Sequence, residues 1–237
     1  FYDLSDAEPA ISILKDQYNI NPTRHHLLLS LASVYLIEDD IDAALTTLDQ
    51  ASKKLDDSAS IAQIDRLTVL AEDPDFEMKL AEMRGIVDAG NTISSDDADY
   101  LEDILERAPD FGEVYVVLAK AYLAWNEDED ALDTLLDGYE RVPEDAELIA
   151  LLGKVLWDAE QGELALKYLN ENVKLNPNSV DVLALLGQYT FELGDEDAAR
   201  TFMQRAEAIS PRHPAVQKAR IEITKMTITV CEELKLT

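Results

Sequence analysis

Pro109, Pro143, Pro177 and Pro211 stand 34 residues apart, and the residues between them recur in register. Aligned on these prolines, Leu118, Leu152 and Leu186 form one column, Ala119, Gly153 and Gly187 the next, Ala131, Ala165 and Ala199 a third, and Leu135, Leu169 and Met203 a fourth. A period of this length is one supersecondary unit. A unit so short cannot bury its apolar faces alone, so neighbours must stack. Apolar residues within each period recur at helical rather than strand spacing, which predicts two amphipathic helices per unit. Small residues in the second and third columns let the paired helices approach closely. Proline then ends the second helix, because it has no backbone N–H and keeps the residue before it out of the helical region.

A small residue, an alanine, a bulky apolar residue and a closing proline at these offsets resemble the tetratricopeptide repeat. The resemblance implies an all-α, right-handed superhelical solenoid of antiparallel helix pairs that binds other proteins. Three clear repeats cover residues 112–145, 146–179 and 180–213. An earlier one covers 25–58, with Leu28, Leu31, Ala32, Tyr35, Ala44, Leu48 and Ala51 in the same columns and Pro22 and Asp56 at the closing positions. Between them the array fails. Helices are expected there at 59–71, 75–89 and 95–108, the last two as a degenerate repeat in which Arg84 and Asp97 replace an apolar residue and an alanine. A helix at 215–226 continues the stack, followed by a capping helix or frayed tail. The expected organisation is one solenoid, with N-terminal repeats at 1–58, irregular ones at 59–111, regular ones at 112–213 and a cap at 214–237. The chain begins at Phe1, and Ala10 and Leu14 sit in second-helix columns, so an upstream first helix is expected.

Turns within the pairs are acidic, as at Glu38-Asp39-Asp40 and Gly194-Asp195-Glu196-Asp197. Acidic side chains at a helix start accept hydrogen bonds from free N–H groups and offset the positive end of the helix dipole. These turns lack the central glycine and distal glutamate of a helix-loop-helix calcium site.

The net charge of −29 excludes a protein that neutralises nucleic-acid phosphates. The acidic excess reads either as a solvated outer surface or as a docking surface for a basic partner. The longest apolar run, 27–37, falls well short of the ~20 residues a membrane span needs. No membrane insertion is expected, and a soluble chain, with the cytoplasm favoured, is. Cys231, the one cysteine, reads as a free structural thiol.

Catalytic signatures are missing: there is no glycine-rich phosphate loop, Gly-x-Ser-x-Gly elbow, His-Glu-x-x-His or Cys-x-x-Cys. Adjacent His25 and His26 point about 100° apart on a helix and cannot chelate one ion together. No enzyme activity, cofactor or metal is therefore expected.

In the family that the chain resembles, first helices line a concave groove. Its ligand-gripping positions map onto Leu36 in the early repeat, Val116, Lys120, Leu123 and Ala124 in the next, Ala150, Lys154, Trp157 and Asp158 in the third, and Ala184, Gln188, Phe191 and Glu192 in the fourth. Leu123, Trp157 and Phe191 form an apolar row beside Lys120, Lys154 and Gln188. The same spacing also serves packing between adjacent helices. The expected function is a non-catalytic scaffold or adaptor holding a peptide segment of another protein, apolar with acidic groups. The alternatives are the recognition arm of a larger enzyme such as a transferase, and a secretion or assembly chaperone.

Overall fold

The fold is that of a computed structural model, described over residues 7–233 and for side chains as far as Ile228. The Cys231 thiol, the start at Phe1 and the tail beyond Glu233 lie outside the described part. Thirteen helices form it, with no strand among the described residues: α1 Glu8–Ile20, α2 His26–Ile37, α3 Ile41–Ser52, α4 Ser58–Glu72, α5 Phe76–Asp88, α6 Ser95–Arg107, α7 Gly112–Trp125, α8 Asp128–Arg141, α9 Ala146–Asp158, α10 Gly162–Leu175, α11 Val180–Glu192, α12 Glu196–Ile209 and α13 Pro214–Glu233. They fall into two compact units, Phe1–Val117 and Leu118–Thr237.

The caps follow directly from the sequence. Asp39, Asn126, Glu160 and Gly194, one per repeat, have φ of 58°, 62°, 60° and 85°. The next N–H reaches back five residues in each case: Asp40 donates to the Tyr35 carbonyl, Glu127 to Tyr122, Gln161 to Leu156 and Asp195 to Thr190, at 2.8–2.9 Å. This left-handed closure satisfies carbonyls that the helix end would leave free and turns the chain sharply into the second helix. Asp40 and Asp195 then cap that helix, their carboxylates accepting from the N–H of Ala43 and Ala198. Second helices end differently. Asn21, Ala108, Val142, Asn176 and Ser210 each precede a proline, and their φ lies between −152° and −120° with ψ between 63° and 90°.

In the first unit α2 packs against α1, α3 and α4. Leu28, Leu29, Ala32, Leu48, Ala51, Leu55 and Ile64 form one buried cluster, and Ile11, Leu31, Tyr35 and Ala44 another. Gly90, with φ of 77°, closes α5 as the repeats close their first helices, its neighbour Asn91 donating to Ile86. By this cap α5 and α6 behave as a first and second helix, and α4 is an extra element. It ends at Asp73 before Pro74 with the extended cap of a second helix, yet packs on α2 and α3 as the next first helix would. Polar contacts tie it to α6: Arg107 pairs with Glu72, and the Tyr100 hydroxyl donates to Asp73 at 2.7 Å.

In the second unit α9 packs against α8, α10 and α11, and α11 against α10, α12 and α13. Leu152, Ala165, Leu169 and Leu186 are wholly buried. Gly153 and Gly187 lie where any side chain would strike the partner helix. A Cβ at Gly153 would stand 2.6 Å from Leu169 Cδ2, and one at Gly187 2.7 Å from Met203 Cγ. Helix α13 runs to Glu233, past the end expected at Met226.

Candidate protein-binding surface

Trp157 is the centre of the second unit's exposed chemistry. Its ring stacks on Tyr189 of the next first helix, with centroids 4.1 Å apart and an interplanar angle of 1°. Its Nε1–H donates to Glu192 Oε2 at 2.9 Å, and Gln188 Nε2 donates to the other oxygen, Oε1, also at 2.9 Å. One carboxylate thus holds the indole and the amide together. Tyr189 is buried, and burial, with Asp158 and Glu192 nearby, pushes its phenol well above the ordinary value of 10. Gly162 lies beneath the ring's other edge, where a Cβ would stand 3.1 Å from Trp157 Cζ3.

The two lysines of the row carry their own counter-charges. Lys120 pairs with Glu147 at 3.0 Å across to the next first helix, and Lys154 with Asp158 at 3.3 Å one turn along its own helix. Leu123 is half-buried. Phe191, also half-buried, lines a separate cleft of about 270 Å³ formed with α12 and α13 beside the Arg220–Glu207 ion pair. In the first unit Leu36 packs partly buried against Ile11, Leu31, Tyr35 and Ala44, and Val116 is buried, 1% exposed. The structure therefore brings Trp157, Asp158, Lys154, Gln188 and Glu192 together, while Val116 offers no surface. Tyr189 and Glu147, partners of the row, are the residues that sequence reasoning missed. Each stands 27 to 32 positions after the residue it meets, roughly one repeat.

A second feature adjoins Trp157. A cleft of about 700 Å³ is lined by Trp157, Leu193, Glu160 of the turn between α9 and α10, and Glu163 and Leu164 of the first turn of α10. Leu193 is 62% and Leu164 41% exposed. Among the described residues no group of histidine, cysteine or carboxylate side chains is placed to hold a metal, and no helix is long and apolar enough to cross a membrane.

Solved structures similar to the chain include YrrB, a tetratricopeptide-repeat protein with an unusual peptide-binding site (16% identity, TM-score 0.45, covering 87% of this chain and 97% of that one). Others are TTC0263, a thermophilic tetratricopeptide-repeat protein of Thermus thermophilus (19%, 0.47, 86% and 99%), and MamA (14%, 0.42, 90% and 97%). No curated protein sequence matches the chain. The family model for ChAPs, the Chs5p-Arf1p-binding proteins, matches residues 87–208. That span exceeds half of the chain and runs from the end of α5 through most of α12. With its tetratricopeptide-type helix pairs, the chain belongs to the ChAPs family.

Proposed function

We propose that this chain is a non-catalytic scaffold that binds a segment of a partner protein along α9 and α11, at Lys154, Trp157, Asp158, Gln188 and Glu192, with Lys120 and Leu123 extending the surface. One observation carries the reading: the half-buried indole is fixed by a parallel stack and a charged hydrogen bond, and polar side chains with exposed ends surround it. A rigid aromatic within a polar rim is what binding hot spots are made of, and holding it in place beforehand lowers the ordering cost of association. Family membership supports the same reading, since the family is described by binding to Chs5p and Arf1p. These two proteins indicate the kind of partner to test.

The lysines set the mode of recognition. Because Glu147 and Asp158 already neutralise them, an acidic group on the partner must compete with an internal carboxylate, and exposed pairs of this kind are worth ~1 kcal/mol or less. Apolar contact with Trp157 is therefore the larger contribution. The test is calorimetric titration of purified Chs5p and Arf1p against the native protein and a Lys154→Glu, Gln188→Lys double variant, both changes lying on exposed or half-exposed positions. Binding to either partner that weakens by about fivefold in the variant is the expected result. If neither protein binds, or the variant binds as well as the native chain, this surface is not the site.

A further inference from the structure

We infer that the cleft between Trp157, Leu164 and Leu193 is a second docking site, which takes a bulky apolar side chain flanked by lysine or arginine on a partner protein. The inference rests on the reading of the chain as a protein-binding scaffold; it shares Trp157 with that site but draws its other walls from the edge formed by the turns rather than from the row along α9 and α11.

Three observations carry it. First, the cleft has exposed apolar walls beside its charged turn. Leu164 follows Gly162 and Glu163 at the start of α10, Leu193 caps α11, and both leave a large share of their surface to solvent beside the Trp157 ring. Large exposed apolar residues that converge on one concavity mark contact sites, unlike the same residues scattered singly. Second, the concavity is built. Gly162 is the residue that lets the ring lie over the first turn of α10, since a Cβ there would crowd Cζ3 at 3.1 Å. The stack on Tyr189 and the bond to Glu192 hold the ring from the other side. Glu160, in the left-handed region, folds the turn that forms the floor. At about 700 Å³ the space is in the range of ligand pockets and exceeds what one side chain fills. Third, the charge has one sign. Glu160 and Glu163 line the cleft, no lysine or arginine does, and the nearest cation of the row, Lys154, is paired with Asp158. An apolar residue with basic neighbours meets all three conditions. An acidic segment would be repelled by the two carboxylates, whereas basic neighbours would be drawn to them.

The probe is a capped pentapeptide, Lys-Lys-Phe-Lys-Lys, titrated against the full chain carrying Trp125→Phe, which leaves Trp157 as the only tryptophan. Saturable change in its emission is expected, weakened at least about tenfold when alanine replaces the peptide's phenylalanine. A Leu164→Ser, Leu193→Ser variant, altered only at exposed positions and checked for native helical circular dichroism, is expected to lose binding to the same degree. The inference is overturned if no saturable binding occurs, if the alanine peptide binds equally well, or if the double serine variant binds like the native chain. Sedimentation provides another outcome against it: concentration-dependent dimerisation abolished by Leu193→Ser would mean that a second copy of the chain covers the cleft. Because the serine variant spares Lys154 and Gln188, failure here leaves binding of Chs5p and Arf1p along α9 and α11 testable, and the converse holds as well.

Discussion

Alanine at Gly153 tests the close approach of α9 and α10. A Cβ there would stand 2.6, 2.7 and 3.0 Å from Leu169 Cδ2, Cγ and Cδ1, whereas carbon atoms rest about 3.5–4.0 Å apart. The branch carbon is among the atoms struck, so turning the end methyls alone does not clear the overlap, and Leu169 is wholly buried with little room to retreat. Overpacking of this kind costs about 1–3 kcal/mol. Against it stands the gain from replacing glycine inside a helix, about 0.5–1 kcal/mol. The expected net effect is destabilisation of roughly 1 kcal/mol, and more for Gly153→Leu, whose larger side chain adds to the overpacking. Gly85 in α5 supplies the control, since nothing lies within 4 Å of a Cβ there. Gly85→Ala shows the propensity gain alone, about 0.5–1 kcal/mol of stabilisation, so the two variants fall on opposite sides of the native protein in urea unfolding. Combining Gly153→Ala with Leu169→Ala provides a second check: the cavity made by one change receives the methyl of the other, and the double variant is more stable than the sum of the singles predicts. If Gly153→Ala stabilises as much as Gly85→Ala, the helices are not in the contact described here.

Asn172 stands wholly buried in a column that holds Ala51, Gly138 and Ala206, and neither its Nδ2 nor its Oδ1 has a partner among the protein's groups. Asn172→Ala should stabilise by about 1–2 kcal/mol, since an unsatisfied buried amide costs about 1–3 and the small void left behind offsets less than that; a lowered melting temperature would show the amide to be satisfied. Asp39→Gly should stabilise by about 1 kcal/mol, because only glycine is free of steric cost at a φ of 58°; an unchanged urea midpoint would refute that cost. Asp73 bears on the joint between α4 and α6. Burial raises its carboxyl, but hydrogen bonds from Lys79 and Tyr100 outweigh this and hold it below its ordinary 3.8. Its contribution is therefore fully present above about that pH and is lost as pH falls through the depressed value. Protection of the amides in α4 and α6, taken relative to the intrinsic exchange rate at each pH, should fall on acidification more than in α9 and α10, and Asp73→Asn should abolish the difference.

The fold was legible because each structural device has its own residue. Prolines mark the ends of second helices, and the extended cap before each one is the restriction that proline imposes on its neighbour. Small columns mark helix contacts, as Leu169 against Gly153 and Met203 against Gly187 bear out. The left-handed turn was less legible, since three of the four repeats fill it with Asp39, Asn126 or Glu160, and the signal is present only in Gly194 and, within the irregular stretch, Gly90. Helix α4 was expected as a helix, but its mixed character was hidden. Its proline ending resembles a second helix while its packing is that of a first, and a pattern of columns cannot state which neighbour a face will meet.

That ambiguity also limits what can be read of the site. Trp157 and Phe191 occupy one column, and their spacing alone serves groove and core equally. What separates them is the neighbour one repeat later. Trp157 meets Tyr189, a flat ring that it can cover while keeping an edge in solvent, whereas Phe191 lines a cleft of its own together with Met203 and Ile223. Lys154 with Asp158 was foreseeable from the one-turn spacing on a helix, but Lys120 with Glu147 joins two helices 27 positions apart and has no such local signal. Each internal pair removes a charge that the sequence by itself offers to a partner. The exposed apolar surface at Leu164 and Leu193 gained no such partner, and for that reason recognition by this chain should depend more on apolar side chains than on the carboxylates the lysines first suggest.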